Sequence, residues 1–273
     1  MIFCMKVRKH DVEDMLKFNP QILEFHFSDS DLNLTLERNF DQRLIVHCYE
    51  YFDRKIIDIV SLEETTQIHS QEKSLELIQK AIDKTISLGQ YFKGQPSIIV
   101  HPGGYSLSDL EQSKIQKMKD NLVDAVKRLD HKNINFLLEN MPPYGWFFGG
   151  RWNSNVFLDT SDMLNYCKET GLQVCYDICH SQLYCNKSNL SVIDQLQKIE
   201  DHVIHYHLAD AGGSEGEGLQ YGEGDLPFEK IIPILNKHND RSFAIEVWRG
   251  HEQGGKGFRY FLDKMIENGL IVQ

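Results

Sequence analysis

The sequence predicts a single (β/α)8 barrel over residues 1–273, and three observations predict it. The chain has 273 residues, a length that suits one barrel of roughly 250 residues. Short apolar, β-branched runs alternate with amphipathic helical stretches from end to end, which favours a parallel sheet covered by helices. No low-complexity segment, proline-rich linker or long charge run divides the chain. An open doubly wound sheet is the competing architecture. It normally carries a glycine-rich phosphate turn after its first strand, whereas here the first strand runs into Lys6-Val7-Arg8-Lys9-His10.

Eight strands are expected, at Ile2–Val7, Ile22–Ser28, Leu44–Tyr49, Ser97–His101, Asn135–Asn140, Leu172–Asp177, Val203–Leu208 and Phe243–Trp248. Each combines apolar, β-branched content with flanking turn residues. Between them, Leu75, Ile78, Ile82 and Ile86 recur at helical spacing, and Gly89 offers a C-terminal stop. Ser108 and Glu111 resemble a capping box that opens a helix carrying Ile115, Met118, Leu122 and Val126. Shorter helices are expected after the other strands, for about eight βα units.

The formal net charge is -11, which argues against a surface built to grip duplex DNA. No stretch approaches the ~20 apolar residues a membrane helix needs, and the N-terminal apolar run is too short for a signal peptide. Cys4, Cys48, Cys167, Cys175, Cys179 and Cys185 include no CxxC pair, so reduced thiols in a cytoplasmic protein are expected.

Chemistry is concentrated where the expected strands end. His47 closes LIVH, His101 closes IIVH, Glu139 lies in FLLEN, and Asp177 and His180 in YDICH. His205, His207 and Asp210 lie in HYHLAD, and Glu246 in FAIEV. Any one has an ordinary explanation as a hydrogen-bonded histidine or a helix cap. Their coincidence at one barrel mouth does not, because charges closing fully buried strands cost several kcal/mol unless paired or coordinated. A divalent cation held by these residues is the reading that relieves them. His205 and His207 share a face. His207, nearer the carboxyl end, is taken as the ligand and His205 as its buried neighbour.

HPGG at 101–104, LLEN at 137–140, YDICH at 176–180, HYHLAD at 205–210, GEGD at 222–225 and the late Glu246, in this order and spacing, resemble the xylose isomerase-like barrel superfamily. That superfamily includes an endonuclease IV branch and a sugar epimerase branch. The resemblance implies that Glu139, Asp177, His207 and Glu246 hold one metal. Where a second metal exists, Glu139 bridges to it and His47 and His101 complete its shell. One or two divalent ions per chain are therefore expected, with zinc, manganese, iron and cobalt undistinguished. The endonuclease branch uses a third metal that needs a histidine at His180 and an Asp-x-His segment before the GEG turn. Gly216 and Gly218 stand there instead, unless Glu215 or Glu217 substitutes.

The expected function is a metal-dependent isomerase or epimerase that moves a proton next to the carbonyl of a sugar or sugar derivative. The runs EGLQYGEGD and EVWRGHEQGGKGF are similar to barrels of nonulosonic-acid-type carbohydrate pathways. Glu139 and Glu246 are the expected acid and base, with His180, Arg249 and Trp146 as substrate contacts. The glycine- and aromatic-rich run 141–152 is expected to fold over the site. A small carbohydrate is the expected partner, nucleic acid and membrane are not, and a homo-oligomer is compatible with the class. The alternatives are an endonuclease IV-like phosphodiester hydrolase, a lyase or dehydratase on a related keto-acid, and a non-catalytic carbohydrate-binding barrel.

Overall fold

A computed structural model describes residues 1–273. Eight parallel strands close into a barrel in sequence order. They are β1 (Ile2–Val7), β2 (Ile22–His26), β3 (Arg43–His47), β4 (Ser97–Val100), β5 (Asn135–Glu139), β6 (Val174–Asp177), β7 (Val203–Leu208) and β8 (Ser242–Ile245). β1 and β8 pair through Ile2–Ser242, Phe3–Phe243 and Cys4–Ala244 and complete the ring. The expected strands are all present, most of them one to three residues shorter. Charged or turn-forming ends such as Ser28 and Trp248 leave the ladder to enter loops.

The helices are α1 (Val12–Met15), α2 (Gln71–Gly89), α3 (Gln112–Lys127), α4 (Thr160–Thr170), α5 (Ile178–Ser188), α6 (Val192–Ile199), α7 (Phe228–Leu235) and α8 (Glu252–Glu267). They pack on the outside of the barrel through a continuous apolar shell that includes Leu75, Ile78, Ile82, Met118, Leu122 and Val126. β2 is followed only by a 3₁₀ turn, Asp29–Asn33, closed by a reciprocal Ser28–Asp31 capping box. β6 is followed by two helices, so the units are less regular than eight equal repeats.

Two local expectations fail. Ser108 and Glu111 form no capping box. α3 begins after Glu111 without a side-chain cap, and the Ser108 carbonyl accepts a bond from the Ser106 hydroxyl instead. Gly89 does end α2, but as its last helical residue and not as a left-handed cap. A Cβ there would come within 2.8 Å of Pro96, so close packing is what requires glycine.

The barrel interior is layered. Cys4, Ile22, Ile45, Ile99, Leu137, Cys175 and Ala244, one from each strand except β7, pack as a separate buried cluster. His205 of β7 completes the level, in register with Cys175 and Ser242. Successive inward residues on a strand are two apart. The next level up is therefore Lys6, Glu24, His47, His101, Glu139, Asp177, His207 and Glu246. All eight can carry charge. An apolar plug thus supports a ring of titratable groups at the carboxyl end, where barrel active sites form.

Candidate metal centre

Each strand delivers one member of the ring, and the ring closes on itself. Glu139, Asp177, His207 and Glu246 bring one potential ligand atom each within 4.8 Å of one another. Nδ1 of His207 is 3.0 Å from Glu139 Oε1 and 3.5 Å from Glu246 Oε1. The other oxygen of Glu139 faces the opposite way. Oε2 lies 3.1 Å from His47 Nε2 and 3.3 Å from His101 Nε2. Glu139 therefore stands between two groups of candidate ligands, one on each carboxylate oxygen. His47, Glu50 and His101 form the second group.

The motif residues that point away from the ring hold it in shape. Asn140, next after Glu139, donates to the Asp177 carbonyl at 2.9 Å and accepts from the Asp177 N–H at 2.7 Å. It continues the β5–β6 pairing by side chain after the backbone ladder stops at Glu139–Cys175. Asp177 then caps α5, with Oδ1 accepting from the His180 N–H at 2.8 Å. That bond orients the carboxylate. His180 donates from Nδ1 to the Asn140 carbonyl at 2.8 Å, and its Nε2 lies 3.4 Å from Glu217 Oε1. In the HPGG run only His101 reaches the ring. Gly103, at φ 86, lies against the buried Asp58, whose Cγ would be 2.5 Å from an added Cβ.

Asp210 does not join the cluster. Its buried carboxylate accepts from the N–H groups of Ala211, Gly222, Gly224 and Leu226, so it pins the GEGD loop to the end of β7. Gly218, at φ 69, is forced by its neighbours too, since a Cβ would sit 3.2 Å from the Trp248 backbone nitrogen. The segment 141–152 forms a hairpin, Tyr144–Phe147 with Gly150–Ser154. Phe147 and Trp152 are buried, whereas Trp146 is exposed opposite Arg151. Arg151 reaches Glu215 at 2.8 Å and ties the hairpin to the loop after β7. Arg249 is exposed and paired with Glu252 at 2.6 Å.

Two ring members escaped the reading of strand ends. Glu24 of β2 is fully buried and accepts at Oε2 from His205 Nε2 at 2.9 Å and His207 Nε2 at 3.2 Å. His205 is held on its other side by Ser242 at 2.7 Å. Lys6 of β1 reaches Glu246 Oε1 at 2.5 Å. Both were visible as lone charges inside apolar runs, IFCMKV and ILEFH. They do not close their strands because β1 and β2 run on past the ring, to Val7 and His26.

The electrostatics show a shortage of positive charge. One ammonium, Lys6, faces four carboxylates. Burial by itself would lower the pKa of His207, but the carboxylates of Glu139, Glu246 and Glu24 around it hold it well above the ordinary histidine range. Burial opposes His180 in the same way, and Asp177 and Glu217 hold it well up. For Asp177, burial is the larger effect and pushes the carboxyl up to about 6 despite His180 nearby. Burial would raise Glu24 and Glu139 likewise, yet the neighbouring histidines, His207 first, hold both well below the carboxylate range. Protons on histidines thus stand where cations are wanted. Glu24 Oε1 and both ring nitrogens of His101 are buried without a directed hydrogen-bond partner. Convergent carboxylates, imidazoles and unpartnered acceptors are a donor set that fits divalent metal.

The sequence profile of the xylose isomerase-like TIM barrel matches residues 17–265. The chain belongs to that family. A protein of Methanocaldococcus jannaschii, MJ1614, is 24% identical over 211 residues, 77% of this chain and 72% of that protein. Among solved structures, a D-tagatose 3-epimerase-like protein superposes with TM-score 0.67 at 18% identity, covering 98% of this chain and 99% of its own. Endonuclease IV from Thermus thermophilus gives TM-score 0.66 at 17% identity, covering 98% and 100%. At these identities the likeness is one of fold. Family and neighbours are mostly enzymes, both epimerases and an endonuclease, built on the barrel described above. No helix is long and apolar enough to cross a membrane, and all six cysteines are free.

Proposed function

We propose that the chain is a metal-dependent isomerase or epimerase that transfers a proton next to the carbonyl of a sugar or sugar derivative. One observation carries this reading: carboxylates from β5 and β8, Glu139 and Glu246, meet across His207 within reach of Asp177. Glu139, Asp177, His207 and Glu246 would hold one ion, and His47 and His101, with Glu139 between, a second. A bound divalent ion supplies Lewis acidity to a carbonyl and its neighbouring hydroxyl.

The protein groups divide the remaining work. Glu246 is the better placed base, because its side chain is 16% exposed whereas Glu139 is 1% exposed. Burial would raise its pKa, but His207 and then Lys6 hold it below the ordinary value. It is therefore ionised and ready to take a proton at neutral pH. Glu139, from β5, is the counterpart: ionised in the free site, it returns to the carbon a proton that it first takes from a substrate hydroxyl. His180 Nε2 presents a donor to a substrate hydroxyl. The buried ring and the apolar plug beneath it keep water from the floor of the site. The similarity to a D-tagatose 3-epimerase-like protein supports a sugar substrate. Against phosphodiester hydrolysis stand the net charge of -11 and the glycines at 216 and 218, where a third-metal ligand pair is expected.

The test is a screen of ketoses and amino-sugar derivatives with each metal added, run on the wild type, Glu139→Gln and Glu246→Gln. Turnover should appear with a divalent metal and fall at least a hundredfold in each variant, the scale of a lost acid or base. Full turnover in either variant would sink the reading. Elemental analysis giving three metals per chain would favour the hydrolase, and none would favour a binding barrel.

A further inference from the structure

The ring reaches solvent at two places, chiefly on the side of Lys6 and Glu246 and less at His101 across the barrel. Most members are fully buried, and the side chains that reach the surface are Lys6 at 19%, Glu246 at 16% and His101 at 10%. Lys6 and Glu246 open onto a cavity of about 260 Å³ between the loops that follow β8, β1 and β2. A substrate that extends past the reacting carbons on the Glu246 side enters this cavity.

Its lining is unlike the rest of the protein. Lysine and arginine are 29 of 273 residues but 3 of the 11 that line this space: Lys6, Arg8 and Arg249. His26 and His251 line it too. Two of the three cations are already paired, Lys6 with Glu246 and Arg249 with Glu252. Glu246 belongs to the ring, and Asp11 accepts from the Arg8 backbone N–H at 2.6 Å. Arg8 has no carboxylate partner. Its guanidinium donates only to the His26 carbonyl, at 3.3 Å, which leaves most of its donors free. His26 Nδ1 is buried without a hydrogen-bond partner. Arg249 is held in the left-handed region at φ 57, a conformation that a non-glycine residue keeps only where the surroundings dictate it. Unpaired guanidinium donors beside an unpartnered imidazole are a receptor for an oxyanion.

The geometry points to an anion subsite: this cavity receives a carboxylate or phosphate carried by the substrate, with Arg8 as its principal contact and Arg249 at its rim. The substrate class is then an acidic sugar, not a neutral one. This deepens the isomerase reading and rests on it for the identity of the reacting end. Lys6 would serve both ends, through Glu246 and through the cavity.

The test uses the full-length, metal-loaded protein with acetate and methyl phosphate as probes and chloride at equal ionic strength as the control. The dependence of the melting midpoint on probe concentration yields an apparent affinity. At least one probe should stabilise the wild type beyond chloride. Arg8→Gln should weaken that affinity about tenfold, the scale of one charge-assisted bond. The Arg8 side chain is on the surface, so this variant keeps the fold, and Arg249→Gln provides a second. A response to acetate alone assigns a sugar acid, and one to methyl phosphate alone a sugar phosphate. Equal behaviour of both probes and chloride overturns the subsite. So does stabilisation kept within twofold in both variants, which would place the anion elsewhere, including on the metal. Metal content measured in parallel separates the two readings. Anion binding without metal uptake would sink the isomerase and leave the subsite, and metal uptake with no anion effect would do the reverse.

Discussion

Replacing Asn140 by alanine should cost several kcal/mol of stability, and the structure sets the size of the loss. The Asn140 amide makes two buried hydrogen bonds to the backbone of Asp177, at 2.9 and 2.7 Å. Deletion leaves an N–H and a C=O buried and unpaired, at about 1–3 kcal/mol each, or about 4 kcal/mol together. For a chain of this size, 1 kcal/mol moves the melting midpoint by about 2 °C or more, so a fall of roughly 8 °C is expected by calorimetry of the metal-free protein. The Asn140→Asp variant adds a signature that simple loss of packing would not. At neutral pH the introduced carboxylate still accepts from the Asp177 N–H, but its second oxygen faces a carbonyl. Protonation turns that oxygen into a donor, so this variant should recover stability relative to the alanine variant as the pH falls. A midpoint within about 2 °C of wild type for Asn140→Ala, or parallel pH curves for the two variants, would refute the bridging role.

Two further outcomes are expected. Glu24→Gln keeps the shape of the contact to His207 and His205 but removes its charge. It should weaken divalent-metal affinity by roughly tenfold or more, as loss of a carboxylate behind a ligating histidine does. Competition with a chromogenic chelator checks it, and an affinity within twofold of wild type, in a variant that melts normally, counts against the role. Burial pushes the Asp58 carboxyl up to about 6, against an ordinary 3.8, despite backbone N–H bonds that pull it down. A raised acid in the folded state favours folding below pH 3.8, and that contribution is lost as the pH rises through about 6. Relative to Asp58→Asn, the wild type should therefore lose about 3 kcal/mol between about pH 4 and pH 7. Denaturant titrations at the two pH values decide it, and an unchanged difference would show the carboxylate to be fully compensated.

The order of the barrel was legible because strand burial leaves a local mark. Runs such as Leu44–Val46 and Phe136–Leu138 are apolar without interruption, and a run of that kind ending in His or Glu announces its upper end. The same rule gathered His47, His101, Glu139, Asp177, His207 and Glu246 at one barrel mouth, and it was the family resemblance that singled out Glu139, Asp177, His207 and Glu246 as one set. Asp210 obeyed the same surface pattern but has a different role. Backbone donors at Gly222, Gly224 and Leu226, in a loop well downstream, claim it together with Ala211, and no local signal announces them. Ser108 and Glu111 failed for a related reason: capping spacing is permissive, and the chain used the Ser108 carbonyl for a turn instead.

By itself the sequence determined the strand count, the alternation and six of the eight ring members, because apolar runs that end in His, Asp or Glu are a property of each strand alone. Tertiary closure decided what each charge faces. Lys6 meets Glu246 across 240 residues only because β1 pairs with β8, and His207 reaches Glu24 across 183 only because strands three apart in the ring share one narrow interior. Which oxygen of Glu139 faces which histidines, and that Arg8 is left without a carboxylate beside the more open side of the ring, depend on distances of a few ångströms. Coulomb energies and hydrogen bonds vary steeply over that range, and sequence spacing carries no record of it.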